Sequence, residues 1–382
     1  MPWVGGKARG TVASPGSSVS PATPPPPPTP MTHDPFRPLL RPHLLALEPY
    51  ASARSEFAGR AEVYLDANEN PYETGRNRYP DPLQRALKAK LAELHGVPAE
   101  HLFVGNGSDE AIDLLMRLVG RPGVDRVTQL PPTYGMYAVS AAINDLAVRS
   151  VPLDDDFQPD VDAVLAPPRE LAEADPAVDK LLFVCTPNNP TGNDVDPARV
   201  RALLDAWPGL VVVDQAYAQF SRQRPYTDWL GEYPRLVVLQ TLSKAYGLAG
   251  ARLGIAFAHP ALVGYLNAVK PPYNVSSLAQ EAALAALADQ ATVDEQVATL
   301  LAERARLSAA LAAVPQVEEV YPSDANFVLT RFRDAARHYR ALVERGVIVR
   351  NQSSKFGGVG HLRFTVGRPE ENERLLAELA RL

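Results

Sequence analysis

The sequence predicts an α/β protein: a mainly parallel, doubly wound sheet in a large domain, followed by a smaller α+β domain. Three features carry this expectation. Short unbroken runs of Val, Leu and Ile, such as Leu210-Val211-Val212-Val213, recur along the chain, and strands apolar on both sides are those covered by helices on both faces of a parallel sheet. Longer helical patterns alternate with these runs, the rhythm of doubly wound folds. The 382 residues, 46% of them hydrophobic, exceed the ~100–200 of an ordinary domain and can bury a core large enough to enclose a cavity.

Along the chain, the first thirty residues hold nine of the 37 prolines, including Pro24 to Pro28, and almost no large apolar side chains. Residues 1–33 are therefore expected as a disordered, polyproline-like tail; they lack the apolar segment of a secretory leader, and Met31 is a candidate start. Residues 34–62, with an apolar patch at Leu44–Leu47, read as an arm packing with the small domain.

The large domain is expected over 63–270, from strand Glu62–Leu65 onward. Leu83–His95 is amphipathic and reads as helix, Leu102–Val104 as strand and Ser108–Val119 as helix. Further strands are expected at Arg126–Leu130, Leu181–Cys185, Leu210–Asp214, Leu236–Gln240 and Leu253–Ala258. Over 271–382, an Ala-rich helical stretch at Leu278–Ala313 leads into a mixed unit. There, strands Asn326–Arg331, Val347–Arg350 and His361–Val366 intersperse with helix Arg333–Arg345 and a last helix from Pro369.

Composition narrows the ligand. A net charge of −6 gives nucleic acid or an anionic membrane no basic surface to hold, so small molecules are the expected partners. No apolar run reaches the ~20 residues of a membrane helix. The single cysteine, Cys185, excludes an intramolecular disulfide and fits a reducing cytoplasm. Seven scattered histidines show no metal-ligand spacing, so no metal is expected.

Ligands of open α/β sheets collect beyond the carboxyl ends of the strands. Three strands here finish in polar clusters: Thr186-Pro187-Asn188-Asn189-Pro190-Thr191-Gly192, Asp214-Gln215-Ala216-Tyr217 and Gln240-Thr241-Leu242-Ser243-Lys244. Singly, these are an ordinary turn, a helix N-cap and a surface lysine. Together they bring an amide, a carboxylate, a phenol, hydroxyls and an amine to one edge. Only seven of the 38 basic residues are lysines, and Lys244 differs from the rest in following an apolar strand and preceding the nearly uncharged Ala245–Gly250. A lysine in so dry a setting loses pKa and becomes a nucleophilic amine. Gly105-Asn106-Gly107-Ser108-Asp109-Glu110 joins a strand to a helix, where backbone N–H groups bind a phosphate. It lacks the third glycine of a dinucleotide fingerprint, which points to a small phosphorylated cofactor.

Asn189-Pro190-Thr191-Gly192, Asp214…Tyr217 and Ser243-Lys244 with Arg252 resemble the fold-type I pyridoxal-phosphate aminotransferases of class I and II. More narrowly, Leu65–Pro71 (LDANENP), Asn77–Pro80 (NRYP), Pro131–Tyr137 (PPTYGMY), Val349–Gln352 and Leu362–Gly367 (LRFTVG) resemble the histidinol-phosphate aminotransferase family. The resemblance runs from about Glu48 to the C-terminus. It implies pyridoxal 5′-phosphate as cofactor and amino transfer from histidinol phosphate to 2-oxoglutarate in histidine biosynthesis.

The family's roles carry over residue by residue. Lys244 would bond the cofactor covalently and shuttle a proton, Asp214 would pair with the ring nitrogen, and Asn189 and Tyr217 would bond its 3-oxygen. Tyr134 would stack on the ring. The phosphate would be held by Gly107, Ser108, Asp109, Thr241, Ser243 and Arg252, and by Tyr79 from the neighbouring subunit of a homodimer. Arg363, with Arg350, Tyr50 and Asn68, would bind substrate. One departure is Gln215, where the family usually has glutamate. Rival readings are an aromatic amino-acid aminotransferase, a threonine-phosphate decarboxylase-like enzyme using the same lysine, and a non-catalytic cofactor-binding regulator.

Overall fold

A computed structural model describes residues 34–48, 62–166 and 179–382. In chain order the larger unit runs α1 (Arg85–His95), β1 (Leu102–Asn106), α2 (Ser108–Val119), β2 (Arg126–Gln129), α3 (Met136–Ile143), β3 (Ala147–Ser150) and α4 (Val161–Leu165). It continues with β4 (Asp179–Cys185), α5 (Pro197–Ala206), β5 (Leu210–Asp214), β6 (Leu236–Thr241), β7 (Leu253–Phe257) and α6 (Pro260–Val269). Its seven strands form one sheet in the order β1-β7-β6-β5-β4-β2-β3.

Burial explains the apolar runs. Along β5, Leu210 and Val212 enter one core cluster and Val211 and Val213 the other; along β4, Leu181, Phe183 and Cys185 alternate in the same way with Leu182 and Val184. Side chains alternate across a strand, so a run buried on both faces must be apolar throughout. Helices α2, α3 and α6 cover one face and α1, α4 and α5 the other.

Helices α7 (Ser277–Ala288) and α8 (Gln290–Ala312) lead to β8 (Val317–Val320), β9 (Phe327–Phe332), α9 (Ala335–Glu344), β10 (Arg350–Asn351), β11 (His361–Thr365) and α10 (Pro369–Leu379). The four strands form a second, antiparallel sheet ordered β10-β11-β9-β8, with its own apolar cluster around Leu307, Val328, Phe332 and Phe364.

Several expectations need correction. Glu62–Leu65 is not a strand: Val63 and Leu65 are 71% and 88% exposed, with no apolar surface to cover them in a single chain. The expected helix Leu278–Ala313 is two, because Asp289 leaves helical geometry (φ −111°, ψ 56°) and its carboxylate accepts the Thr292 N–H that starts α8. Of Val347–Arg350 only Arg350 joins a strand, with Asn351. Edge strands β3 and β8 are not foreseen by the sequence pattern, as their residues are mostly exposed or half-buried and carry no apolar run. The arm, as far as Glu48, packs on the large unit rather than the small one: Phe36 and Leu40 are buried with Phe103 and α2, and Arg41 N–H donates to Leu118 O at 2.9 Å. The proline-rich tail and residues 49–61, Tyr50 included, lie outside the described residues.

Candidate active site

Strands β4, β5 and β6 run parallel, so Cys185, Asp214 and Thr241 arrive at the same edge of the sheet. Strand β7 runs antiparallel to both β6 and β1 in the otherwise parallel sheet. Its first residues therefore lie at that same edge, which is how Arg252 joins the cluster. Arg252 turns into β7 with a left-handed φ of 55°, and Gly107 bridges to Leu253.

A cavity of about 260 Å³ opens there. One wall is Gly107, Ser108, Asp109 and Tyr134; the floor is Cys185, Asn189, Asp214, Ala216 and Tyr217; Thr241, Ser243, Lys244, Arg252 and Arg363 complete it. Every cofactor contact expected from the sequence, Tyr79 apart, lines this one space.

The phosphate end is a set of donors. Helix α2 begins after Gly107 (φ 80°) with no side chain capping its first N–H groups, so those groups and the positive end of the helix dipole are open to an anion. The Thr241 and Ser243 hydroxyls are bonded to each other at 2.9 Å, and the Arg252 guanidinium stands 3.7 Å from the Asp109 carboxylate. Glu110 fastens the loop by accepting Asn106 N–H at 2.5 Å and Asn274 Nδ2 at 2.7 Å. This donor chemistry fits a phosphate.

Close approach makes this region intolerant of bulk. A Cβ at Gly254 would stand 2.0 Å from Ser108 N and 2.2 Å from Gly107 C. Overpacking of this kind costs about 1–3 kcal/mol. Gly254→Ala is therefore expected to weaken binding of the cofactor that the sequence resemblance implies, pyridoxal phosphate, about tenfold, read by fluorescence titration. Wild-type affinity in the variant would contradict the placement of the α2 N-terminus.

The opposite end is acidic and buried. Asp214 lies 2% exposed, and burial pushes its carboxyl up to about 6 against the lowering influence of its hydrogen bonds. Tyr137, fully buried and stacked on Phe183 at 4.5 Å, donates to Asp214 Oδ2 at 2.7 Å, and Ala216 N–H donates to Oδ1 at 3.1 Å. Sequence reasoning missed Tyr137. On an apolar helix it reads as ordinary core.

Between these ends sits Lys244, exposed to the open cavity yet partly enclosed by protein. That enclosure first, then the charges of Arg363 and Arg252, hold its ammonium below the usual lysine range. Its Nζ lies 5.7 Å from the centre of the Tyr217 ring, and Asn189 Nδ2 donates to Tyr217 Oη at 3.4 Å. Tyr134 Oη donates to Asp109 Oδ1 at 3.1 Å. Asn188, also missed, is buried and ties the site loops together through Thr133 Oγ1, Pro132 O and Thr191 Oγ1.

Arg363 reaches in from the small sheet, donating through Nη1 to Asn189 Oδ1; its Nε is buried without a partner among the described residues. Arg350 is exposed and sits opposite Arg363 in the β10–β11 register. Asn68, at a left-handed φ of 54°, is exposed and outside the cavity lining. Tyr79 lines a separate hollow of about 390 Å³ and stacks on Tyr273 at 4.4 Å.

Residues 60–379 match the family model of aminotransferase class I and II. The chain is 48% identical to histidinol-phosphate aminotransferase of Parabacteroides distasonis over 341 residues, 89% of this chain and 97% of that one. It is 49% identical to its counterpart from Cytophaga hutchinsonii over 342 residues, 88% and 96% of the two chains. Among solved structures it is similar to histidinol-phosphate aminotransferase of Sinorhizobium meliloti in complex with pyridoxal 5′-phosphate, at 27% identity and a TM-score of 0.69, over 80% of this chain and 82% of that one.

Proposed function

The chain belongs to the histidinol-phosphate aminotransferases within aminotransferase class I and II, and from that premise we propose that it interconverts histidinol phosphate and 2-oxoglutarate with imidazole-acetol phosphate and glutamate. The observation that carries this reading is the convergence of a depressed lysine, a buried carboxylate, a phosphate cradle and an inward arginine on one cavity.

Pyridoxal phosphate, when bound, supplies an aldehyde that captures amines and a ring that withdraws electrons from the substrate α-carbon. Lys244 would bond the cofactor covalently and, as a free amine, would take up and return the proton at the substrate α-carbon. Asp214, held by Tyr137, would keep the ring nitrogen protonated. Tyr217 and Asn189 would hydrogen-bond the 3-oxygen, Tyr134 would cover a ring face, and the α2 N-terminus, Thr241, Ser243 and Arg252 would hold the phosphate. Arg363 receives the anionic end of each substrate.

The working unit in this reading is a cytoplasmic homodimer, in which Tyr79 reaches the neighbouring subunit's cofactor phosphate. Val63, Leu65 and Tyr72, each at least 71% exposed, supply the apolar surface such a partner would cover. Among the described residues no helix is long and apolar enough to cross a membrane.

Purified protein is expected to form glutamate and imidazole-acetol phosphate in equal amounts from histidinol phosphate and 2-oxoglutarate. Carbon dioxide release from phosphothreonine, or preference for phenylalanine and tyrosine as donors, would replace this reading with one of its rivals.

A further inference from the structure

We propose that Lys355 is a specificity-determining residue: with Arg350 and Arg363 it receives the phosphate of a phosphorylated amino donor, while the carboxylate of glutamate engages Arg363 without it. The inference rests on the aminotransferase reading above and concerns the substrate end of the same cavity.

Lys355 lies in a short 3-10 turn, Ser353–Phe356, between β10 and β11. Lys355 is exposed along its length, yet its ammonium crosses from the small sheet to the large unit and donates to the Thr133 carbonyl, one residue before Tyr134 of the cavity lining. A Cβ on neighbouring Gly135 would stand 3.7 Å from Nζ. The β10–β11 register sets Arg350 beside Arg363; Arg363 lines the cavity, and the Lys355 ammonium reaches the residue next to Tyr134 of that lining.

No carboxylate pairs with them among the described residues. Burial lowers the Lys355 ammonium most, Cys185 opposes it, and Arg363 and Arg350 add to it; burial likewise lowers Arg363 against the influence of Tyr217, with Arg350 adding to it. Arg350 makes no ion pair or hydrogen bond among the described residues, and Arg363 Nε is an orphan donor. Like charges gathered without a counter-ion are held apart from their best state until an anion arrives. A carboxylate brings one charge and two oxygens, enough for one guanidinium fork. A phosphate monoester brings about −1.5 to −2 charges and three oxygens, which matches three cations. The carbonyl bond of Lys355 is neutral and exchangeable, so the ammonium can turn to the phosphate without stranding an acid.

The test compares wild-type holoenzyme with Lys355→Met and Lys355→Arg in both halves of the reaction. Lys355→Met is expected to raise KM for histidinol phosphate about tenfold, the loss of one charge-assisted hydrogen bond. KM for glutamate and the cofactor absorption spectrum should stay at wild type, and Lys355→Arg should restore most of the loss. If KM rises alike for both donors, or kcat and spectrum change instead, Lys355 is a strut between the sheets and the proposal is overturned. Unchanged KM for histidinol phosphate in Lys355→Met overturns it too. A wild-type enzyme that transfers glutamate's amino group yet ignores histidinol phosphate overturns the functional reading first, and this inference with it.

Discussion

Lys244→Ala is expected to abolish amino transfer while leaving the fold intact. General acid–base work of the kind assigned to this amine contributes about 10²–10⁴-fold, and the covalent attachment is lost as well, so a fall of at least about 10⁴-fold should be seen. The side chain stands in an open cavity and makes no hydrogen bond among the described residues, so its removal leaves no buried partner unsatisfied. Melting temperature should therefore stay near wild type. The absorption band of protein-bound pyridoxal phosphate should shift to that of the free aldehyde, and borohydride followed by peptide mapping should label the wild-type peptide containing Lys244 only. Comparable turnover by the purified variant, or a label on another lysine, would overturn the role.

Asp214→Ala should be nearly as damaging, by about 10²–10³-fold, the scale for removing one preorganised charge from a dry site. Two donors, Tyr137 Oη and Ala216 N–H, aim this carboxylate, and the variant leaves the tyrosine hydroxyl unpaired in the core. The pH behaviour discriminates a charge effect from a packing effect. Burial raises the Asp214 carboxyl to about 6, so before cofactor binds the group is ionised above that pH and neutral below it. A protonated ring nitrogen prefers the ionised form, so cofactor affinity in the wild type should weaken as pH falls through about 6. In Asp214→Ala that slope should vanish. A slope that survives the substitution would assign the titration to another group.

Much of the site is legible in the sequence. The polar clusters after β4, β5 and β6 stand out because each strand is short, unbroken and apolar, which marks where it ends. Lys244 is conspicuous because lysine is rare in this chain and its flanks carry almost no charge. The N-terminus of α2 shows in two glycines between strand and helix. Tyr137 does not show, since a tyrosine on an apolar helix face reads as ordinary core. Lys355 reads as a plain loop lysine, because its reach to Thr133 crosses 222 positions of sequence.

Local chemistry thus specified the central strands, several helices and the reactive groups, because period, propensity and turn residues act over a few neighbours. Long-range placement supplied the rest. The reversal of β7 could not be seen in its apolar run, since such a run reads the same in either direction, yet it delivers Arg252 to the phosphate end. The docking of Phe36 on the large unit likewise depends on surfaces far away in the chain. So does the nearness of Arg350, Lys355 and Arg363, where packing free energy from the two cores holds like charges near one another.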